Sequence, residues 1–158
     1  MARLLVIRDF IIVHAPIERC FQLSTSTEIV QRELHMHPVR GRTSGLVQDG
    51  DTVRWQGSQF GLPQYHESLI EGFHPPAFFR DRMIAGRFRT FEHDHNFLLR
   101  DDSSVLMYDE VRFSMKKRFG GDVGGHLLLA PHIRNLLRRR FKLLKHIAET
   151  DEWKRYIR

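Results

Sequence analysis

The sequence predicts an α+β fold: an antiparallel sheet of about six or seven strands, closed by one long amphipathic helix, with two short helices after the first strand. Three observations predict it. Between Thr52 and Met115, short apolar-alternating runs follow one another with only Gly, Pro or polar breaks between them. Such spacing leaves no room for crossover helices, so neighbouring strands run antiparallel in a meander. Near the C-terminus, Leu129, Ile133, Leu136, Leu137, Leu144 and Ile147 form one stripe at 100° per residue. Between the first apolar run and Pro38 stand two helix-start signals, Ala15-Pro16 and Thr25-Ser26-Thr27-Glu28.

In chain order, Val6 to Val13 reads as the first strand, interrupted by Arg8 and Asp9 and so unlike a signal-peptide core. Pro16 opens a short helix through about Leu23, and the capping-box spacing of Thr25 to Glu28 opens a second, about Ser26 to Glu33. Pro38 to Asp51 reads as loop, with an edge strand near Gly45–Gln48. Strands follow at Thr52–Phe60, Gln64–His74 and Ala77–Ile84, separated by Gly61-Leu62-Pro63, Pro75-Pro76 and Ala85-Gly86. Phe88 to Met115 is a long β-hairpin broken at Asp101-Asp102-Ser103-Ser104. After Gly120-Gly121 and Gly124-Gly125 the last helix runs from about Leu127 to Tyr156, with Pro131 in its first turn. No repeat, low-complexity tract or composition shift divides the 158 residues, which suit one domain over 1–158.

Composition narrows the function classes. A single cysteine, Cys20, excludes an intramolecular disulfide and a cysteine-based zinc site and suits a reducing cytoplasm. The net charge of +6 lies in the segment His126–Arg158, with nine Lys/Arg against three Asp/Glu; the other 125 residues balance at 16 each. The high isoelectric point therefore belongs to one helix, and nucleic acid is not an expected partner. No run is long enough for stable membrane insertion. The expectation is a cytoplasmic protein, with monomer and homodimer both open.

The hairpin carries the unusual groups. Phe91, His93, His95, Phe97 and Leu99 share one face of its first strand; Val105, Met107, Asp109, Val111, Phe113 and Met115 share one face of the second. Ionisable groups on a face meant for burial must be satisfied. His93 and His95 are compatible with a hydrogen-bonded polar patch in the core or with ligand contacts in a cavity. They are also compatible with a metal site, whose third ligand would have to come from elsewhere. Asp109 falls directly or diagonally across from His95 if the apolar faces stay together. It would fix an imidazole tautomer and raise its basicity, as a buried ion pair or as a general base. Arg140 projects into the middle of the leucine stripe, where an isolated charge is too costly, so it needs an acid: Asp81, on the face of Phe79 and Met83, or Asp109. Trp55, Tyr65 and Glu67 are candidates for the walls or mouth of a pocket. Arg134, Arg138, Lys142 and Lys145 form the helix's opposite face, a solvated surface or one that meets anionic membrane or nucleic acid.

The element order resembles the START-like, or SRPBCC, helix-grip superfamily. His14-Ala15-Pro16-Ile17-Glu18-Arg19-Cys20-Phe21 is similar to the superfamily's opening segment. Pro75-Pro76, Phe79-Arg80-Asp81, Gly86, Phe91 to Phe97 and Asp109-Glu110-Val111 resemble, in that order, a bacterial subgroup of ligand-binding or cyclase/dehydrase-like SRPBCC proteins. Arg140 aligns with an arginine often present in that subgroup's last helix. The resemblance implies a curved sheet wrapped around the long helix, with a cavity between them for a small, mostly apolar molecule of lipid, polyketide or quinone type, and no cofactor.

On these grounds the expected function is binding of a small hydrophobic molecule with a polar or acidic group. Ligand contacts would come from Trp55, Tyr65, Glu67, Asp81, Phe91, His93, His95, Asp109, Phe113 and Arg140. The alternative is a polyketide cyclase/dehydratase-type enzyme with His95 and Asp109 as its acid–base pair. A surface-acting module using the basic helix face is a third. No nucleophile triad, phosphate loop or dinucleotide fingerprint is present.

Overall fold

The computed structural model describes residues 2–59, 62–101 and 103–158, Gln59 by its backbone alone. Phe60, Gly61 and Asp102 of the expected strand end and turns lie outside them. Seven strands form one antiparallel sheet in the order β1-β7-β6-β5-β4-β3-β2. They are β1 (Leu5–Val13), β2 (Met36–Gly41), β3 (Thr52–Gln59), β4 (Leu62–His74), β5 (Phe78–Gly86), β6 (Phe88–Asp101) and β7 (Ser104–Met115). Between β1 and β2 lie helices α1 (Ile17–Ser24) and α2 (Thr27–Leu34). A short turn α3 (Gly121–Gly124) and a turn of π-helix lead into α4 (Ala130–Glu149). This is the α+β helix-grip architecture.

Two element boundaries and the facing of one residue differ from the expectation. The edge strand is Met36–Gly41, which overlaps the start of the Pro38 to Asp51 stretch read as loop, while near Gly45–Gln48 there is an isolated bridge, Ser26 to Leu46. Gly41, at φ +77, closes β2; a Cβ there would run into the Thr52 carbonyl, which is why a strand ends on a glycine. The last helix stops at Glu149, where Thr150 turns extended and caps a 3-10 turn over Asp151–Arg155. Leu99 does not join the inner face: a register shift between Leu99 and Asp101 leaves it 63% exposed.

Local chemistry explains the helices. Pro16 precedes α1 with φ −59, where a missing amide costs nothing. Ser26, not Thr25, is the N-cap of α2: its hydroxyl accepts from the Ile29 amide at 3.3 Å. Glu28 instead accepts from the Gly45 amide at 2.9 Å, tying the helix to the following loop. Ser26→Ala is expected to cost about 1 kcal/mol in urea unfolding, and an unchanged midpoint would show that the cap contributes nothing.

The core lies between the sheet's concave face and the helices. Phe97, Phe113, Phe141, Ile147 and Val105 are among its fully buried side chains. Each large apolar residue so buried stabilises by about 1.5–3 kcal/mol. Phe113 is one of these and does not face the cavity described below; it packs beneath Phe88 with ring centroids 5.6 Å apart. The sheet's other face carries a ladder of ion pairs: Arg112 reaches Asp94 at 2.9 Å, Glu110 at 2.6 Å and Glu92 at 2.8 Å. The basic side of α4 is partly engaged as well. Arg138 pairs with Asp9 at 3.0 Å, and Lys145 donates to the Ile12 carbonyl at 2.8 Å. Among the described residues no helix is long and apolar enough to cross a membrane.

Candidate functional site

Sheet, α2 and α4 enclose a cavity of about 170 Å³. Its apolar wall includes Val30, Val53, Trp55, Ile70, Phe79 and Phe91. Gln64, Tyr65 and Arg87, all partly exposed, mark its rim. Polar side chains line it too: Ser68, Asp81, His66, His93, His95 and Arg140.

The hairpin register places His95 directly opposite Asp109. Asp109 Oδ2 lies 2.7 Å from His93 Nε2 and 3.2 Å from His95 Nδ1. The two imidazole rings overlap at 3.8 Å, and Phe79 stacks on His95 at 4.2 Å and 17°. Asp109 itself sits behind the histidines and does not line the cavity. Burial raises the carboxyl of Asp109, but His95 and His93 outweigh it and hold the group well below the usual carboxylate range. His95 goes the other way from the sequence expectation: burial, reinforced by His93, pushes it down to about 3, against the pull of Asp109. It is a neutral imidazole at neutral pH, not a strengthened base.

Arg140 enters this cluster from α4, on the same face as Ile133, Leu137 and Leu144. Its hydrogen-bonded acid is Glu33, which was not expected, while the expected Asp109 is a second, longer ion-pair partner. Nη1 donates to both oxygens of Glu33 at 3.1 and 3.2 Å, and Nη2 donates to the Ser24 carbonyl at 3.1 Å. Asp109 Oδ2 lies 3.9 Å from Nε, an ion pair without a hydrogen bond, and among the described residues Nε has no hydrogen-bond partner. Asp81 contributes only at longer range. Burial lowers the guanidinium, but Glu33 and Asp109 overcome it, so its net displacement is upward. Glu33 is raised, because burial exceeds the attraction of Arg140.

Asp81 sits on the floor of the cavity, paired in register with Ile70 on one side and His93 on the other. Burial raises its carboxyl, with His66 the main opposing influence. Neither Asp81 Oδ1 nor the neighbouring Ser68 Oγ makes a hydrogen bond of good geometry, although Ser68 is close enough to favour the ionised acid. His66 stands edge-on to Phe91 at 5.3 Å and is lowered by burial.

Of the ten expected contact residues, Trp55, Tyr65, Asp81, Phe91, His93, His95 and Arg140 line the cavity. Asp109 lies behind the histidines, and Phe113 is core. Glu67 is on the opposite face: it pairs in register with Arg54 and meets its guanidinium at 3.6 Å, while the neighbouring pair Trp55 and His66 faces inward. Arg54 also covers the Tyr65 ring at 4.4 Å, so Tyr65 reaches only the rim. The residues missed are Glu33, His66 and Ser68. Glu33 was signalled by its spacing of four from the buried Ile29 on α2; His66 and Ser68 by their alternation with Ile70.

The third donor that a metal would need beside His93 and His95 is present: ligand atoms of these residues and Asp109 lie within 4.8 Å of one another. The same Asp109 oxygen is already shared between both imidazoles and stands beside Arg140. A dication there would have to displace those contacts and sit next to a guanidinium, which electrostatics disfavours.

No protein-family model and no curated protein matches the sequence. Solved structures do match in fold. A START superfamily protein from Mycobacterium smegmatis superposes with a TM-score of 0.65 at 13% identity, over 91% of this chain and 97% of that one. The di-domain ARO/CYC StfQ from the steffimycin biosynthetic pathway gives 0.70 at 11% identity, over 92% of this chain and 51% of that one. Norcoclaurine synthase from Thalictrum flavum, in complex with dopamine and hydroxybenzaldehyde, gives 0.63 at 12% identity, over 92% and 89%. The chain thus shares the helix-grip fold of these structures, among them the START superfamily protein.

Proposed function

We propose that the protein binds a small, mostly apolar molecule of lipid, polyketide or quinone-like chemistry in the cavity between sheet and α4, with its polar end at the Asp81, His93, His95 and Arg140 side. The observation that carries this reading is the combination of an apolar cavity with buried polar atoms left unpartnered in its lining residues, Arg140 Nε, Asp81 Oδ1 and Ser68 Oγ. Leaving such groups unsatisfied costs about 1–3 kcal/mol each, a cost that a ligand with hydrogen-bonding atoms removes. A cavity of about 150 Å³ holds benzene, so the enclosed part takes about one ring of the ligand and the rest extends toward the rim.

Acid–base catalysis by His95 and Asp109 has less support. His95 is covered by Phe79 and neutral, and Asp109 is behind it, away from the cavity. The likeness to ARO/CYC and norcoclaurine synthase concerns fold, and function follows the site.

Ser68→Leu tests the binding reading. The side chain is buried and its hydroxyl makes no hydrogen bond of good geometry among the described residues, so leucine fills cavity space and removes only the weak influence of Ser68 on Asp81. Stability is expected to hold or rise by about 1 kcal/mol. Binding of acetophenone, followed by ligand-observed NMR, is expected to weaken at least tenfold. Native mass spectrometry of the wild-type protein should show co-purified small molecules that the variant lacks. Equal acetophenone binding by a folded variant would remove the cavity as the binding site.

A further inference from the structure

The segment that leads from β7 into α4 leaves large apolar side chains in solvent. After the 3-10 turn Lys117–Phe119 the chain passes through α3 into the π-helical turn Gly125–Leu129. The inner side of this segment is pressed onto the sheet: a Cβ at Gly125 would come within 3.0 Å of Met115 and 3.1 Å of Leu5, and Leu129 is buried. Its outer side is apolar. Val123 is 68%, Leu127 65% and Leu128 66% exposed, and Phe119 on the preceding turn is 40% exposed. Residues four and five apart are neighbours where an α-turn runs into a π-turn, so Val123, Leu127 and Leu128 project together. An exposed apolar group of this kind marks an interaction surface.

Cations gather around it. The Arg118 and Arg87 guanidinium groups stand over the Phe119 ring at 4.9 and 5.6 Å. Arg89, Lys116 and Lys117 line one shallow depression beside Asp122. None of these five basic side chains has an ion-pair partner among the described residues, whereas Arg8, Arg80, Arg82 and Arg112 on the convex face are each paired. Lys116 and Arg87 donate only to carbonyls, of Gly86 at 3.0 Å and Pro63 at 3.5 Å, which leaves their charge uncompensated. Asp122 accepts from the Arg3 amide at 2.8 Å.

We infer that this surface docks the protein on an anionic phospholipid bilayer, with Val123, Leu127 and Leu128 at the acyl boundary and the cations among the headgroups. A second copy does not suit it, because a two-fold contact would set one cationic collar against the other. Nucleic acid would answer the cations and leave the aliphatic side chains in water. A bilayer with acidic headgroups answers both. Arg87 also marks the cavity rim, so docking sets the rim beside the bilayer, a reservoir of apolar molecules for the cavity on the binding reading above.

Co-sedimentation with vesicles, with no other ligand added, tests this. The vesicles are phosphatidylcholine alone or with about one third phosphatidylserine. The wild type should bind the anionic vesicles about tenfold more tightly than the neutral ones and release them as salt is raised. Lys117→Glu/Arg118→Glu and Leu127→Gln/Leu128→Gln should each weaken binding by about tenfold, and only the first should flatten the salt dependence. All four side chains are exposed, so circular dichroism should match the wild type. Lys142→Glu, on the basic side of α4, should stay within about threefold. Absence of binding even at low ionic strength would overturn the docking surface and leave the cavity reading intact. Unchanged binding by the folded glutamine pair would overturn the apolar contact, and an equal loss in Lys142→Glu would move the contact to α4. A dimer in size-exclusion chromatography that the glutamine pair dissolves would assign the surface to a second copy instead.

Discussion

Arg140→Leu is expected to destabilise the protein by about 3–5 kcal/mol, because it leaves buried acids without their cation. Glu33 would lose both of its Arg140 hydrogen bonds while almost fully enclosed, and the Ser24 carbonyl would lose its donor. For a chain of this size the melting midpoint should fall by about 10 °C. The change itself is apolar and fits the leucine stripe of α4, so overpacking is not the cause. The double variant Glu33→Leu/Arg140→Leu separates the charge effect from the packing effect. Asp109 keeps His93 and His95 in that background, and more than half of the lost stability should return. Urea unfolding of the wild type, both single variants and the double variant measures the coupling. A double variant as unstable as Arg140→Leu alone would show that Glu33 is not the charge this arginine compensates.

The second large effect is a loss of stability on mild acidification through His95. In the unfolded chain a histidine gains its proton near the ordinary value of 6.5, whereas the folded protein holds His95 neutral down to about 3. The unfolded state therefore binds more protons across that interval, so stability falls as pH drops through it. Asp109 acts in the same direction at lower pH: its folded value lies below the usual carboxylate range, and its stabilisation is lost on acidification toward that value. Glu33 and Asp81 oppose this. Both are raised in the folded state, so they lose stability as pH rises from the ordinary carboxylate value toward their raised ones. The wild-type profile is the sum of these slopes, and a variant without His95 removes its slope together with its share of the hold on Asp109, which acts in the same direction. His95→Phe keeps an aromatic ring against Phe79 and removes the titration. Between pH 6.5 and 4 the wild type should lose about 3 kcal/mol more than this variant, at about 1.36 kcal/mol per unit of displaced pKa. Parallel stability–pH curves for the two proteins would contradict the burial of a neutral His95.

What the sequence alone made legible follows from periodicity. The alternation from Phe88 to Met115 requires the hairpin, and the hydrophobic faces set its register, so His95 falls opposite Asp109 as expected. The 3.6 period of the last helix places Arg140 among leucines, and burial of that stripe follows without any knowledge of the fold. The order of strands, helices and breaks carried the resemblance that implied the helix-grip architecture.

Tertiary structure decided what local pattern leaves ambiguous. On β4 both Leu69 and Ile70 are apolar, so alternation alone does not choose a face. Pairing of Trp55 with His66 chooses it, bringing His66 and Ser68 inward and sending Glu67 out to Arg54. Pairing at a distance is equally invisible in a single helix. Glu33 ends α2 and Arg140 sits in the middle of α4, 107 residues apart, and only packing of the two helices makes them partners. The sequence determined that Arg140 must be buried and must have an acid, because charge in an apolar stripe admits no other outcome. Which acid answers it, and which acid, Asp81, is left facing the cavity with one oxygen outside any hydrogen bond among the described residues, depends on three-dimensional distance.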